Sequence, residues 1–191
     1  MDETTWIVIA AAAVVVLLAV LITAAVMRRR YRDRLRDRFG PEYDRTVGAV
    51  GRRRAAERDL AQRAERRDRL DLRPIDEGER RRLRGEWVGV QAEFVDDPMR
   101  ATIDAERVVD DAMRARGYPV DGFAGQADLI SVDHPDVVEH YRRAHQCGIR
   151  ARDGEASTEE ARQAVLAYRR VLDAVVEAGA ERRHEEPAGQ R

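Results

Sequence analysis

Lysine is absent from this 191-residue chain, so all 35 basic residues are arginine. The simplest origin is a GC-rich genome, because lysine codons are AT-rich; selection for the planar, bidentate guanidinium is the sharper alternative. There is one cysteine, Cys147, which excludes an internal disulfide and gives no sign of an oxidising compartment. Aromatic residues make up only 5% of the chain, so any core is built mainly from Leu, Val, Ile and Ala. No segment alternates apolar and polar residues over four or more apolar positions, which excludes a half-buried sheet. Glycines are scattered without the spacing of a dinucleotide-binding or phosphate-binding loop.

What is present is polarised. The net charge of −1 hides a basic stretch, residues 28–84, with 21 Arg against 12 acids. An acidic stretch, residues 85–191, holds 14 Arg against 22 acids.

Before the basic stretch lies "WIVIAAAAVVVLLAVLITAAVM", residues 6–27, without a charge and with Thr23 as its one polar side chain. Such a helix is about 33 Å long against a hydrocarbon core of about 30 Å. Its Val, Leu and Ile residues favour insertion by roughly 5 kcal/mol. A cleaved signal peptide has a basic start, a shorter apolar core and a small-residue exit. Here Asp2 and Glu3 precede the run and Arg28-Arg29-Arg30 closes it. The segment therefore reads as an uncleaved transmembrane helix, with Trp6 and Tyr31 as interfacial anchors. Arginine flanks stay on the cytoplasmic side, and seven lie within residues 28–38 with none before the helix. This predicts a bacterial plasma-membrane protein, N-terminus out and C-terminal domain cytoplasmic; the alternative puts the domain outside.

The run "MRRRYRDRLRDRFGPEYDR" has three readings. It is a topology signal, a clamp on anionic lipid headgroups through Arg28, Arg29, Arg30, Arg32 and Arg34, or a nucleic-acid arm. The last is the weakest, because Asp33 and Asp37 interrupt the arginines and only Tyr31 and Phe39 offer stacking surfaces.

Gly40-Pro41 breaks the juxtamembrane helix. Residues 42–72 carry only a thin apolar stripe (Tyr43, Val47, Val50, Leu60, Ala64) and i,i+4 acid–base pairs, Asp59–Arg63 and Glu65–Arg69. They read as a solvent-exposed arm or weak coiled-coil stalk. "LRPIDEG" is a break. Beyond it Leu83, Trp87, Val90 and Phe94 share one helix face. Asp97-Pro98 starts a helix carrying Ala105, Val108, Val109, Ala112 and Met113, which "RGYP" ends. A short helix over 123–130 follows, then one opened by His134-Pro135 with Val137, Val138, Tyr141 and Ala144. The last is opened by a Ser157/Glu160 capping box.

The expected fold is all-α. It comprises a tail (1–5), a single transmembrane helix (6–27), an arginine-rich juxtamembrane helical arm (28–76), a compact acidic bundle of about four helices (77–180) and a disordered tail (181–191).

His134, His140, His145 and Cys147 fall within fourteen residues but lack the i,i+3 or i,i+4 spacing that converges metal ligands on one helix. Cys147 has no thiolate-stabilising neighbour, since His145 at i−2 faces away. Acid pairs such as Asp96-Asp97, Asp110-Asp111 and Glu159-Glu160 are sequential and diverge. No catalytic, cofactor-binding or metal site is expected, and the chain does not read as an enzyme. It reads as a membrane-anchored adaptor for an unidentified protein partner, with membrane-associated nucleic-acid binding as the alternative. Ala19 and Thr23 form a weak small-xxx-small pair, which leaves homo-oligomerisation open.

The phrases "LRDRFGPEYDRTV", "LDLRPI", "EWVGVQAEFVDDP", "MRARGYPVD", "LISVDHPDVVEHYRRAH" and "GEASTEEARQAVLAYRRVL" occur in that order over residues 35–172. They resemble a family of small bacterial, mainly actinobacterial, membrane or "secreted" proteins with an N-terminal apolar helix. The resemblance implies no activity, cofactor or catalytic residue. Its "secreted" label is at odds with the arginine rule and fits an apolar N-terminus mistaken for a signal peptide.

Overall fold

The computed structural model describes the backbone of residues 3–177 and the side chains of residues 14–177. The described residues are all-α, with eight helices and no strand among them. Trp6 and the expected tail 181–191 fall outside the described side chains.

Helix α1 runs unbroken from Glu3 to Phe39. Gly40 ends it with φ 47°, donating its N–H to the Arg36 carbonyl, and Pro41 opens α2, Pro41–Val50. The glycine supplies the left-handed turn and the proline the first helical position that needs no N–H donor. Helix α3 spans Arg53–Asp68. Among the described residues no helix is long and apolar enough to cross a membrane. The described side chains begin at Val14, so the front of the apolar run, 6–13, lies outside that statement.

Residues 42–72, expected as a solvent-exposed arm or weak coiled-coil stalk, pack instead against the end of α1. Leu35 and Phe39 of α1, Tyr43 of α2 and Leu60 and Ala64 of α3 close on one another and on Val132, making a second small core. Phe39 and Leu60 are fully buried. The stripe over 42–72 is thin because Leu35 and Phe39, at the end of α1, complete the apolar surface on which α2 and α3 pack.

The main core comes from α4 (Glu77–Asp96), α5 (Pro98–Arg116), α7 (Val138–Arg152) and α8 (Thr158–Glu177), with α6 (Phe123–Asp133) bridging to α3. Helix α5 is central, packing on α4, α7 and α8. Its stripe Ala105, Val108, Val109, Ala112 and Met113 is fully buried, facing Trp87 and Val90 of α4 and Tyr168 and Leu172 of α8. The local start and stop signals act as read. Asp76 and Asp97 accept the N–H of Glu79 and Arg100, each at 2.9 Å. Ser157 and Glu160 cap each other.

Two boundaries differ. Helix α6 continues to Asp133, and the next helix begins at Val138 rather than at His134-Pro135. His134 donates its N–H to the Ile130 carbonyl at 2.7 Å, closing α6. Pro135 holds it extended, so the chain turns before it can helix again.

The segment between α3 and α4 lies against the end of α5. Arg73 and Arg116 exchange hydrogen bonds, backbone N–H to carbonyl at 3.0 Å and Arg116 Nη1 to the Arg73 carbonyl at 3.0 Å. Gly117 fits there for two reasons: its φ is 97°, and a Cβ would stand 2.9 Å from the Asp71 carbonyl oxygen.

Candidate functional site

The end of the molecule at residues 14–34 is unlike the rest. From Val14 to Met27 the helix is apolar and exposed on every face, with Val15, Ile22 and Met27 each above 60% exposed. Thr23 turns its hydroxyl inward and donates to the Ala19 carbonyl at 2.8 Å, leaving no free hydroxyl donor on that surface.

Arginine follows at once. Arg28, Arg29 and Arg30 are exposed and successive, so at 100° per residue they encircle much of the helix. Tyr31 is 45% exposed beside them. Arg34 is exposed too, and none of Arg28, Arg29, Arg30 and Arg34 forms an ion pair among the described residues. Arg32 lies 3.9 Å from Glu57 of α3.

Further along, the arginines change role. Arg36 pairs with Asp44 at 2.9 Å and stands over the Tyr43 ring, and Arg38 pairs with Asp68 at 2.6 Å. Phe39 is fully buried, so it is no stacking surface for a base. The run thus divides into an exposed collar, 28–34, and a folded root, 35–39.

Two buried carboxylates fasten the helices of the domain to one another. Glu42, its side chain 1% exposed, receives Arg142 in two-pronged fashion, Nη1 to Oε2 at 2.8 Å and Nη2 to Oε1 at 2.7 Å. Arg63 adds a contact at 3.2 Å and Arg45 one at 3.9 Å. Burial pushes this carboxyl up, but the Arg142 hydrogen bonds and the surrounding guanidinium charge outweigh it and hold it below the usual range. Around it, Arg66 reaches Asp128 at 2.9 Å and Arg67 reaches Asp133 at 2.6 Å, tying α3 to α6.

Glu106 on α5 is the second. It is nearly buried, with His145 Nδ1 at 2.5 Å from Oε1 and Arg152 on Oε2. Burial again pushes the carboxyl up, and the His145 and Arg152 bonds bring it below normal. The His145 ring stacks on Phe123 with centroids 3.7 Å apart. One turn on, Asp110 accepts from Gln126 at 3.0 Å, and Tyr141 donates to Gln126 at 3.2 Å. Burial raises Asp110 above its usual value. Both oxygens of Glu106 are engaged, so the cluster acts as a fastener between α5, α6 and α7 rather than as a proton-transfer site. No spacing in the sequence announces either cluster, because the partners lie on different helices.

The histidines separate. His134 ends α6, His145 faces Glu106, and His140 sits on the surface between Arg143 at 3.2 Å and Arg170 at 3.1 Å. Cys147 is half-buried on α7, and burial raises its thiol pKa, with Glu160 adding to the effect. Among the described residues no group of three His, Cys, Asp or Glu side chains is disposed to hold a metal ion. Neither a family model, nor a curated protein, nor a solved structure matches this chain.

Proposed function

We propose that this is a single-pass protein of the bacterial plasma membrane whose helical domain is a cytoplasmic interaction module. The observation that carries the reading is the continuity of α1. One helix joins an apolar stretch that no described residue covers, a collar in which Arg28, Arg29, Arg30 and Arg34 are unpaired among the described residues, and a root sealed into the domain at Leu35 and Phe39. Water is a poor solvent for the first part. Tens of exposed methyl and methylene groups favour transfer to hydrocarbon, at about 0.8 kcal/mol for each CH₂ buried. The collar then sits at headgroup level, where each arginine gains on the order of 1 kcal/mol from anionic lipid.

The same division weakens the nucleic-acid alternative. Arg36, Arg38, Arg63, Arg66 and Arg67 are matched to acids within the domain, and Phe39 is buried. Arg28, Arg29, Arg30 and Arg34 remain open to an external anion right next to the apolar stretch, as a lipid surface requires.

The test is topology. With Cys147→Ala and a single cysteine at Gln190, whole cells are treated with a membrane-impermeant maleimide, and lysed cells serve as control. Labelling only after lysis, with the protein retained in alkali-washed membranes, is the expected result. Labelling of intact cells overturns the orientation, and release by alkali overturns the anchor. A salt-dependent shift of RNA by the full chain in detergent would restore the nucleic-acid reading.

A further inference from the structure

We propose that the outer face of α4 is the contact between two copies of this chain, laid antiparallel. Helix α4 packs on α5 through Leu83, Trp87 and Val90. Its opposite side carries Gly85, Val88, Ala92 and Val95 at spacings of 3, 4 and 3, the seam of a helix pair. Val88 is 63% exposed and Val95 82%, the highest exposure of any large apolar side chain described. A Cβ at Gly85 or Gly89 would meet nothing within 4 Å, so the backbone itself lies open to a neighbour.

The charge on this helix names the occupant. Arg81 and Arg84 are exposed at its start and Glu93 and Asp96 at its end, and none of the four forms an ion pair among the described residues. Glu77, exposed and unpaired among the described residues, adds one acid at the start, which Arg81 and Arg84 outnumber, so α4 is left net basic at one end and acidic at the other. A second copy running antiparallel brings each basic end against an acidic end. A parallel copy sets like against like. The face is therefore complementary to itself under a two-fold axis, which is what an isologous dimer needs.

Shape selects the register. Val88 opposite Ala92 of the second copy, and Val95 opposite Gly85 of the second copy, place each valine over a small residue and let the helices approach to about 8 Å. Gly89 then lies close to the two-fold axis. One helix pair buries less than the roughly 1,200 Å² of a standard interface. On the membrane reading above, shared anchoring raises the local concentration that compensates. The α4 contact itself rests on the face and its charges, not on that anchor.

The experiment uses the full chain in cells, on a Cys147→Ala background, with mild oxidation. Gly89→Cys alone should give a disulfide-linked homodimer. Gly85→Cys and Val95→Cys chains, differently tagged and co-expressed, should give the mixed dimer. Either of these alone should give little, because its two copies stand about 15 Å apart along the helices. R81E/R84E makes both ends acidic and should cut the Gly89→Cys dimer at least five-fold. R81E/R84E/E93R/D96R exchanges the ends and should restore it. Equal crosslinking at every position, no crosslinking in folded protein, or a disulfide from Gly89→Cys to a different protein would each overturn the proposal. Separating membrane from soluble fractions of the same cells reads the anchor independently.

Discussion

Glu42 and Arg142 stand 100 residues apart in the chain and meet as a two-pronged ion pair, with Glu42 almost wholly buried. The pair joins the first turn of α2 to the N-terminal half of α7, so it couples the end of the apolar helix to the main bundle. Glu42→Gln keeps the size and a hydrogen-bonding oxygen but leaves the arginine charge unmatched. Breaking one side of a buried pair costs about 3 kcal/mol. The variant should unfold roughly 6–12 °C lower than the parent in detergent. Replacing both partners with leucine should cost less than the sum of the two single changes. A purely surface role for the pair would give a shift near zero.

Acid should weaken the fold through the same groups. Glu42 and Glu106 both have folded pKa values below the 4.5 of a free glutamate. Such groups stabilise the fold fully above about pH 4.5, and the contribution is lost as pH falls from there through the folded value. The stability-against-pH curve of the parent should therefore drop below pH 4.5, and Glu42→Gln should flatten it. An unchanged slope in the variant would assign the acid loss elsewhere.

Asp110 has the opposite sign. Its folded pKa is raised above 3.8, so its protonated form suits the fold and its contribution is lost as pH rises through the folded value. Asp110→Asn removes the buried charge and keeps an oxygen to accept from Gln126. The change should stabilise the protein at pH 7, and the gain should shrink as the pH falls and the carboxyl of the parent becomes protonated. A loss at neutral pH would mean that the carboxylate charge is used.

Gly117 and Gly48 should respond oppositely to alanine. At Gly117 a methyl meets the Asp71 carbonyl at 2.9 Å with φ at 97°, so the segment between α3 and α4 must shift. A cost of about 2 kcal/mol or more is expected. At Gly48, inside α2 and with nothing within 4 Å, alanine should add about 0.5–1 kcal/mol through helix propensity alone. Denaturant midpoints of the two variants decide this directly.

These contrasts also mark what was legible in the sequence. Caps and stripes are local, so Asp97-Pro98, the Gly117 stop, the Ser157/Glu160 box and the Leu83–Trp87–Val90 face could be read from a few neighbouring letters. The seating of Phe39 against Leu60 and Val132 could not, because Leu60 lies on a helix read as solvated and Val132 beyond the end expected for the short helix over 123–130. An arginine-rich stretch looks alike whether its charges face water or a carboxylate 30 residues away, as Arg38 does with Asp68. The Glu42 and Glu106 fasteners are invisible for the same reason. They are formed by tertiary contact between residues whose local context is an ordinary polar helix.

The collar supplies the sharpest separation of membrane from fold. Arg28, Arg29 and Arg30 form no ion pair among the described residues, whereas Arg67 is held between α3 and Asp133. R28Q/R29Q/R30Q should therefore leave the unfolding midpoint of the detergent-solubilised chain within about 1 °C of the parent. Arg67→Gln, which leaves the partly buried Asp133 with the Tyr118 hydroxyl but without its cation, should lower it by several degrees. Reconstitution into bilayers reverses the ranking. If the collar lies at the headgroups, anionic lipid should raise the parent's midpoint above its value in neutral lipid. The triple variant should lose most of that gain, since three arginines at on the order of 1 kcal/mol each make up the bulk of the attraction. The gain should also fall between 50 and 500 mM salt, because charges at a surface are screened within a Debye length. Equal midpoints in neutral and anionic bilayers would leave the arginines as a topology signal alone, and the orientation of the triple variant would then be the property to measure.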